Sequence, residues 1–399
     1  MEKNKARLKI LIIHNYTEGF ATGGEANVFQ DESNLLESNG HKVRKLFVTN
    51  SEGIDSSFLE KIKFFISSPW SNYGYSIVKK ELKQFKPDIV HVHNFFFILS
   101  PKIFLAIWKE KIPVVVTLHN YRLVVPCSQM IYKGKPCDIC LGKNPWRILI
   151  RRCYRNSFFA SLFRYRFYFL SQKKHNWWKY IDRFIALTEN GKSILIKGGL
   201  PSSKIIVKQN FIEDPKPQNI KIGHGALYIG TLTVEKGIKE LIHEWQSINY
   251  PLKVIGAGEL RRELTELNKN ENISFLGVVP REQVIKELED CAFIVMPSIC
   301  QESFGLVNIE ALSMGKPVLA SWNGGMRDII QDGENGYFID INQFGDLKKK
   351  INHLIKNPTL LKEMGQNARS SYLLKYTSQI NYELLINIYT QTIDTYENN

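Results

Sequence analysis

The chain has no run of eighteen uncharged apolar residues anywhere in its 399, so no membrane-spanning helix is expected. The opening residues, MEKNKARLKILIIHN, contain an apolar run but no small-residue cleavage site. They read as a first β-strand rather than a signal peptide, and a cytoplasmic protein is expected. There is no internal repeat and no low-complexity segment. No Asp-x-Asp follows a strand pattern, so a motif for a catalytic metal is missing. Acidic residues are short in one half only: residues 1–200 carry 32 Lys and Arg against 15 Asp and Glu, whereas residues 201–399 carry 21 against 24. The net charge of +14 therefore belongs to the first half. Basic charge allows nucleic acid, but no groove-reading motif accompanies it, and no nucleic-acid partner is expected.

What is present is an alternation of short apolar runs with helical patterns. Strands are predicted near 8–14, 43–48, 88–92, 113–118, 183–187 and 205–208, then near 226–229, 252–256, 273–276, 293–297, 317–320 and 336–339. Such alternation argues for parallel sheets buried on both faces. The polar, two-proline run from Asp214 to Lys221 reads as a linker. The length suits two domains, so the economical architecture is α/β, with two Rossmann-like doubly wound domains facing each other across a cleft. Ligands should then bind at strand C-termini.

The segment 297–317, PSICQESFGLVNIEALSMGKP, is the richest in chemistry. Seven residues separate Glu302 from Glu310, about two helical turns, so both carboxylates can look into one crevice. The turn between them, Ser303-Phe304-Gly305-Leu306, opens a helix whose free N–H groups suit an anion. For an isolated pair of glutamates the plainer reading is a cap neighbour and a solvated helix residue. Gly23-Gly24 follows a strand and precedes a helix, which permits close approach of a phosphate, though most such pairs are only turns. Lys236, just after a strand ending near Gly230, is a compact charge suited to a diphosphate. His119 ends a strand facing the cleft and can bond a sugar hydroxyl or a leaving phosphate; a structural histidine is the alternative.

Four of the six cysteines cluster as Cys127, Cys137, Cys140 and Cys153. In a cytosolic protein the C-x9-C-x2-C-x12-C spacing suggests a structural zinc site more than disulfides; four free thiols in a loop-rich insertion is the other reading. Cys291 and Cys300 flank a strand and are expected in the core. Between Lys143 and Arg183 lie eleven basic residues and one acidic, interleaved with aromatics such as Trp146, Phe158, Phe159 and Trp178. Such a segment suits an anionic membrane surface, or else half of the aromatics are core and the charges a solvated face.

Taken in order, these pieces resemble the large retaining GT-B glycosyltransferase family with a Glu-x7-Glu motif (family 4 type, bacterial surface polysaccharide subgroup). Gly23-Gly24, Asn39-Gly-His-Lys-Val43, Asp88–His93, Val114–Asn120, Arg183–Thr188, Tyr228–Leu232, Glu235-Lys236-Gly237 and Asp332–Gly336 match its order along nearly the whole chain. The resemblance implies an N-terminal acceptor-binding domain over 1–213, with an insertion at about 121–182. It also implies a linker at 214–222, a nucleotide-sugar-binding domain over 223–375 and a final helix, 376–399, crossing back to the first domain. It implies that Glu302 holds the donor sugar and that Phe304, Gly305 and Leu306 offer amides to sugar and phosphate. Glu310 would accept from ribose, Gly23, Gly24 and Lys236 would serve the pyrophosphate, and His119 would belong to the catalytic site. No metal is required for catalysis in that family. Thr231 departs from the pattern, standing where an Arg is usual; either another cation, such as Arg281 or Arg327, substitutes, or the donor is bound more weakly. The expected activity is transfer from a UDP- or GDP-sugar to a glycan acceptor, lipid-linked, at the inner face of the plasma membrane. Rival readings are a non-catalytic binding subunit, and an epimerase on the same fold.

Overall fold

The structure is a computed structural model, and it describes residues 7–16, 23–49, 66–170, 176–217 and 220–398. Two six-stranded sheets, parallel throughout, carry the fold. The first contains β1 (Lys9–Tyr16), β2 (Lys42–Thr49), β3 (Ile89–Val92), β4 (Val114–Leu118), β7 (Arg183–Ala186) and β8 (Ile205–Val207), ordered β2-β1-β3-β4-β7-β8. A small antiparallel hairpin, β5 (Ile131–Tyr132) with β6 (Lys135–Pro136), lies in the loop region between β4 and β7. The second sheet holds β9 (Ala226–Ile229), β10 (Leu252–Ile255), β11 (Ile273–Gly277), β12 (Phe293–Met296), β13 (Val318–Ser321) and β14 (Gly336–Ile339), ordered β11-β10-β9-β12-β13-β14. Each order reverses once, between β1 and β3 and between β9 and β12. A strand order that reverses opens a crevice at the strand ends, because neighbouring crossovers leave to opposite faces.

The apolar runs form strands because both faces of each sheet are covered. Ile10 and Ile12 point one way and Leu11 and Ile13 the other, and all four are fully buried. The even positions pack under the helices Gly24–Ser38 and Ser378–Glu397; the odd positions pack under the helices Asn72–Phe85 and Lys102–Lys109. The second sheet repeats this scheme with its own two apolar layers.

The last helix, Ser378–Glu397, follows a helix of the second domain but buries Tyr382, Leu385, Ile386 and Tyr389 against the first sheet. Its polar atoms dock there too: Tyr382 Oη lies 2.9 Å from His41 Nε2 and Tyr389 Oη 2.7 Å from His91 Nδ1. Part of the linker, residues 218 and 219, lies outside the described residues. At its start Asp214 makes a two-pronged ion pair with Arg369, at 2.7 and 2.8 Å.

Tyr389 is fully buried in this layer. Tyr389→Ala is expected to destabilise the first domain by about 3–5 kcal/mol through lost burial and the cavity left behind, while Tyr389→Phe costs about 1 kcal/mol for the hydrogen bond. Denaturant midpoints of the two variants check this.

Candidate functional site

The strand-order reversals put the sequence-chosen residues at two facing crevices. In the second domain, the loop after β9 carries Thr231 and Lys236, and the loop after β12 carries Ser298 and Glu302. The two loops are tied together by the amides of Ile299 and Cys300, which both donate to the Glu235 carbonyl, at 2.9 and 3.2 Å. The loop after β13 closes the crevice: Gly325 N–H donates to the Glu302 carbonyl at 2.7 Å. Gly324 has φ +58°, and a Cβ there would come within 2.2 Å of that same carbonyl oxygen. Only glycine allows that approach.

Lys236 and Glu302 form an ion pair, and the Ser298 hydroxyl donates to the same carboxylate oxygen at 2.8 Å. Burial pushes the Glu302 carboxyl up, but the Lys236 ammonium and the two hydrogen bonds outweigh it and hold it below the usual range. Burial pushes the Lys236 ammonium down, and Glu302 more than reverses this. Both groups are therefore charged at neutral pH, and the pair presents one fixed cation and one fixed anion at the reversal between β9 and β12.

Glu302 lies six residues beyond β12, in the loop rather than at the strand end itself. Gly305, at φ +95°, turns the chain into the helix Leu306–Ser313. Phe304 is buried beneath this turn, and Leu306 is half-buried at the helix start. Glu310 is on that helix as expected, but it does not share a partner with Glu302: Arg281 Nη1 binds its Oε1 at 2.6 Å. Arg281 is thereby placed beside Glu310 rather than at Thr231. Arg327 is turned away as well, donating to the Trp322 carbonyl at 3.3 and 3.2 Å. Thr231 itself is exposed, its hydroxyl 3.4 Å from that of Thr233. Both arginines named as substitutes for the one missing at Thr231 are thus engaged elsewhere, Arg281 with Glu310 and Arg327 with the Trp322 carbonyl.

The first domain faces this crevice closely. Gly24, at the start of the helix Gly24–Ser38, comes so near the second domain that a Cβ would lie 3.0 Å from Leu306 Cδ1. Gly23 precedes it as the cap, its carbonyl accepting from the amides of Ala26 and Asn27. The Ser303 hydroxyl donates to the His119 carbonyl, and the Tyr121 hydroxyl to the Glu302 carbonyl at 3.4 Å. His119 follows β4, and its Nε2 lies 3.0 Å from His93 Nδ1, the two rings stacked. Burial, with the His14 ring and the Lys208 ammonium adding, pushes the His119 imidazole down to about 3. It is neutral at physiological pH, carrying a single ring N–H.

Two features have no counterpart in the sequence analysis. Glu25, beside Gly24, has its carboxyl pushed up to about 7 by burial, against the pull of Arg122 and Asn94. Its place directly after a glycine pair was the available signal. The other is a buried cluster of Glu32, His91, His93 and Lys208 behind His119. Glu32, His91 and His93 alone among the described residues converge to the spacing of a metal site.

The four cysteines do gather around the β5–β6 hairpin. Burial pushes Cys140 up to about 12 and Cys153 up to about 11, and the neighbouring thiols add to each rise. Their sulfurs are not among the groups that meet at metal-site spacing. Arg151 Nη1 donates to Cys137 Sγ at 3.6 Å. Cys291 and Cys300 are buried in the second domain. The loop leading into the hairpin meets the second domain, where Gln129 Nε2 donates to Glu235 Oε1 at 3.0 Å.

The basic, aromatic segment splits in two. Trp177, Phe167 and Tyr168 are core. Trp146, Ile150, Phe158 and Phe159 are exposed, the last by 79%, on the adjoining helices Arg147–Arg151 and Phe158–Tyr168 and the residue before the first. Residues 171–175 of this segment lie outside the described residues. No described helix is long and apolar enough to cross a membrane.

Known proteins resemble this chain in sequence and in fold. Residues 22–214 match the model of Glycosyltransferase Family 4, and residues 212–371 that of Glycosyl transferases group 1. An uncharacterized glycosyltransferase of Methanocaldococcus jannaschii is 31% identical over 190 residues, 42% of this chain and 54% of that protein. The capsular polysaccharide biosynthesis glycosyltransferase CapM of Staphylococcus aureus is 29% identical over 203 residues, 48% of this chain and 52% of its own length. The chain thus spans about half the length of these curated relatives. Among solved structures, Anabaena HepE in complex with UDP superposes with a TM-score of 0.66 over 96% of this chain and 100% of that one, at 16% identity, a likeness of fold. The two matched segments adjoin and together run from residue 22 to 371, and with the shared fold they place the chain among the GT-B glycosyltransferases of the family 4 type.

Proposed function

We propose that this protein is a retaining hexosyltransferase that moves a sugar from a nucleotide-diphosphate donor to a lipid-linked glycan in cell-surface polysaccharide assembly. The observation that carries the reading is the Lys236–Glu302 pair at the β9–β12 reversal, with the Phe304–Leu306 turn beside it and Gly24 directly opposite. In this reading Lys236 neutralises the leaving diphosphate, which is where charge develops as the donor bond breaks. The amides of Phe304, Gly305 and Leu306 and the Gly23-Gly24 turn receive phosphate and sugar oxygens. Glu302 accepts from sugar hydroxyls, and Glu310 exchanges its exposed partner Arg281 for the ribose hydroxyls. His119 contacts the sugar as a neutral ring. UDP in the HepE complex supports a UDP-sugar as the donor, and the name of the Staphylococcus relative supports a polysaccharide product.

Peripheral attachment to the inner face of the plasma membrane is part of the proposal. Trp146, Ile150, Phe158 and Phe159 form its apolar face, with Lys143, Arg147, Arg152 and Arg155 exposed around them. Apolar side chains flanked by arginines fit the boundary between acyl chains and anionic headgroups. Structural zinc at Cys127, Cys137, Cys140 and Cys153 is a lesser proposal. Zinc takes thiolates in a tetrahedron, so the four sulfurs would have to draw closer, and metal analysis of protein purified without chelator decides it. The second reading, a non-catalytic binding subunit, is favoured by one observation: Thr231 is exposed where the family places an arginine, and neither Arg281 nor Arg327 reaches that position.

A thermal-shift panel of UDP-, GDP- and ADP-sugars separates the two readings. One nucleotide class should stabilise the protein by about 2.7 kcal/mol at a hundred times Kd, with the response lost in Lys236→Ala and reduced in Glu310→Ala. Silence toward all three classes favours the binding subunit. Thr231→Arg should tighten donor binding about tenfold by adding a charge-assisted phosphate contact, measured by titration calorimetry. Vesicle sedimentation checks the attachment: Phe159→Glu together with Trp146→Ala should reduce binding to anionic vesicles at least tenfold, and salt should weaken the wild type.

A further inference from the structure

Behind His119 lies a charged cluster to which the reaction above assigns no task. Lys208 and Glu32 are buried to within 1% of complete and ion-paired. Lys208 also donates to Asn381 Oδ1 at 3.2 Å. Desolvation makes a buried pair a poor source of stability, so its presence invites another explanation. The ammonium takes one carboxylate oxygen, Oε1. The other, Oε2, lies 3.4 Å from His93 Nε2 and 3.9 Å from His91 Nδ1, and neither Oε2 nor His93 Nε2 makes a hydrogen bond with the described residues. His93 Nδ1 is then 3.0 Å from His119 Nε2. The line runs from Lys208 through Glu32 and His93 to His119, the one member that is partly exposed at the cleft.

Metal binding is a poorer account of the same residues. The ammonium already holds the carboxylate, and both nitrogens of His91 are taken, by the hydroxyls of Tyr389 and Thr117 at 2.7 Å each.

Counting protons along the line gives its direction. An ionised carboxylate only accepts, and a neutral imidazole carries one N–H. A bare ring nitrogen 3.4 Å from the Glu32 carboxylate would be repelled by it, so His93 carries its proton on Nε2 and turns a bare Nδ1 toward His119. The 3.0 Å contact then requires the proton of His119 on Nε2. Its Nδ1, which bonds none of the described residues, is left bare. Burial keeps both rings neutral.

We propose that Glu32, acting through His93, holds His119 as the Nε2–H tautomer and so offers Nδ1 as an acceptor for a hydroxyl of the bound sugar. Glu32 and His93 are positioning residues. The hydroxyl rests on the glycosyltransferase reading; the tautomer does not.

The tautomer is read from ring-nitrogen shifts of the full chain labelled with 15N-histidine at pH 7, the His119 signals assigned by their loss in His119→Gln. The wild type should show a protonated Nε2 and a bare Nδ1. Glu32→Gln is the decisive variant. Its amide oxygen still meets the Lys208 ammonium, so its NH2 turns a positive edge toward His93 Nε2 and favours a bare nitrogen there. Every proton along the line then reverses, and His119 should move its proton to Nδ1. Transfer kcat should fall about tenfold, the loss of one hydrogen bond in the reacting complex, with donor KM little changed. If that variant does not fold, His93→Asn should keep the wild-type tautomer, because its side-chain oxygen stands where Nδ1 stood, while His93→Leu should lose it. A wild-type His119 protonated on Nδ1, or a tautomer unmoved by Glu32→Gln and His93→Leu alike, overturns the proposal. The expected tautomer with no transfer from any donor overturns the hydroxyl role alone.

Discussion

Parallel strands buried on both faces can release their chain ends only at the two edges of the sheet. That constraint governs the whole molecule. Twelve strands in two sheets all end on the cleft side, so each loop that is free to carry chemistry opens there. The reversals of strand order then choose which loops diverge enough to leave room. Lys236 and Glu302 come from strands β9 and β12, neighbours in space that are far apart in sequence, and Gly24 and His93 follow β1 and β3 in the same way. The site is a consequence of topology before it is one of side chains.

Electrostatics follow from the same placement. The second half of the chain is slightly acidic overall, yet it supplies the fixed cation beside Glu302. The first half carries the positive surplus, much of it on an insertion between β4 and β7. Burial sets the protonation of the cleft: it holds the imidazoles neutral, raises Glu25 toward neutrality, and is outweighed at Glu302 by Lys236 and the Ser298 hydroxyl beside it.

The twelve main strands were legible because each is an apolar run bounded by turn residues, and the expected positions coincide with the observed ones to within two residues at most ends. The β5–β6 hairpin was not, since two-residue strands leave no periodicity to read. Glu302, Glu310 and Lys236 stood out through their spacing and their order along the chain. Glu32 did not: on a helix beginning at a glycine pair it looks like any solvated acid. His93 looks like a strand-end residue and Lys208 like a surface lysine. Their meeting depends on three separate elements packing together, which local sequence does not encode. The engagement of Arg281 elsewhere has the same origin, because its partner Glu310 is near it only in space.

The chain passes between its two domains twice, once near Ile212 and once near Tyr376, and the two passages are bonded side by side. The Ile212 amide donates to the Tyr376 carbonyl at 3.4 Å, and the Tyr372 hydroxyl to the Ile212 carbonyl at 3.0 Å. Two adjacent covalent crossings define an axis. Rotation about that line leaves both crossings in place and is the least hindered relative motion of the domains. In the closed cleft seen here, such a rotation sets Gly24 against Leu306 and Ser303 against the His119 carbonyl.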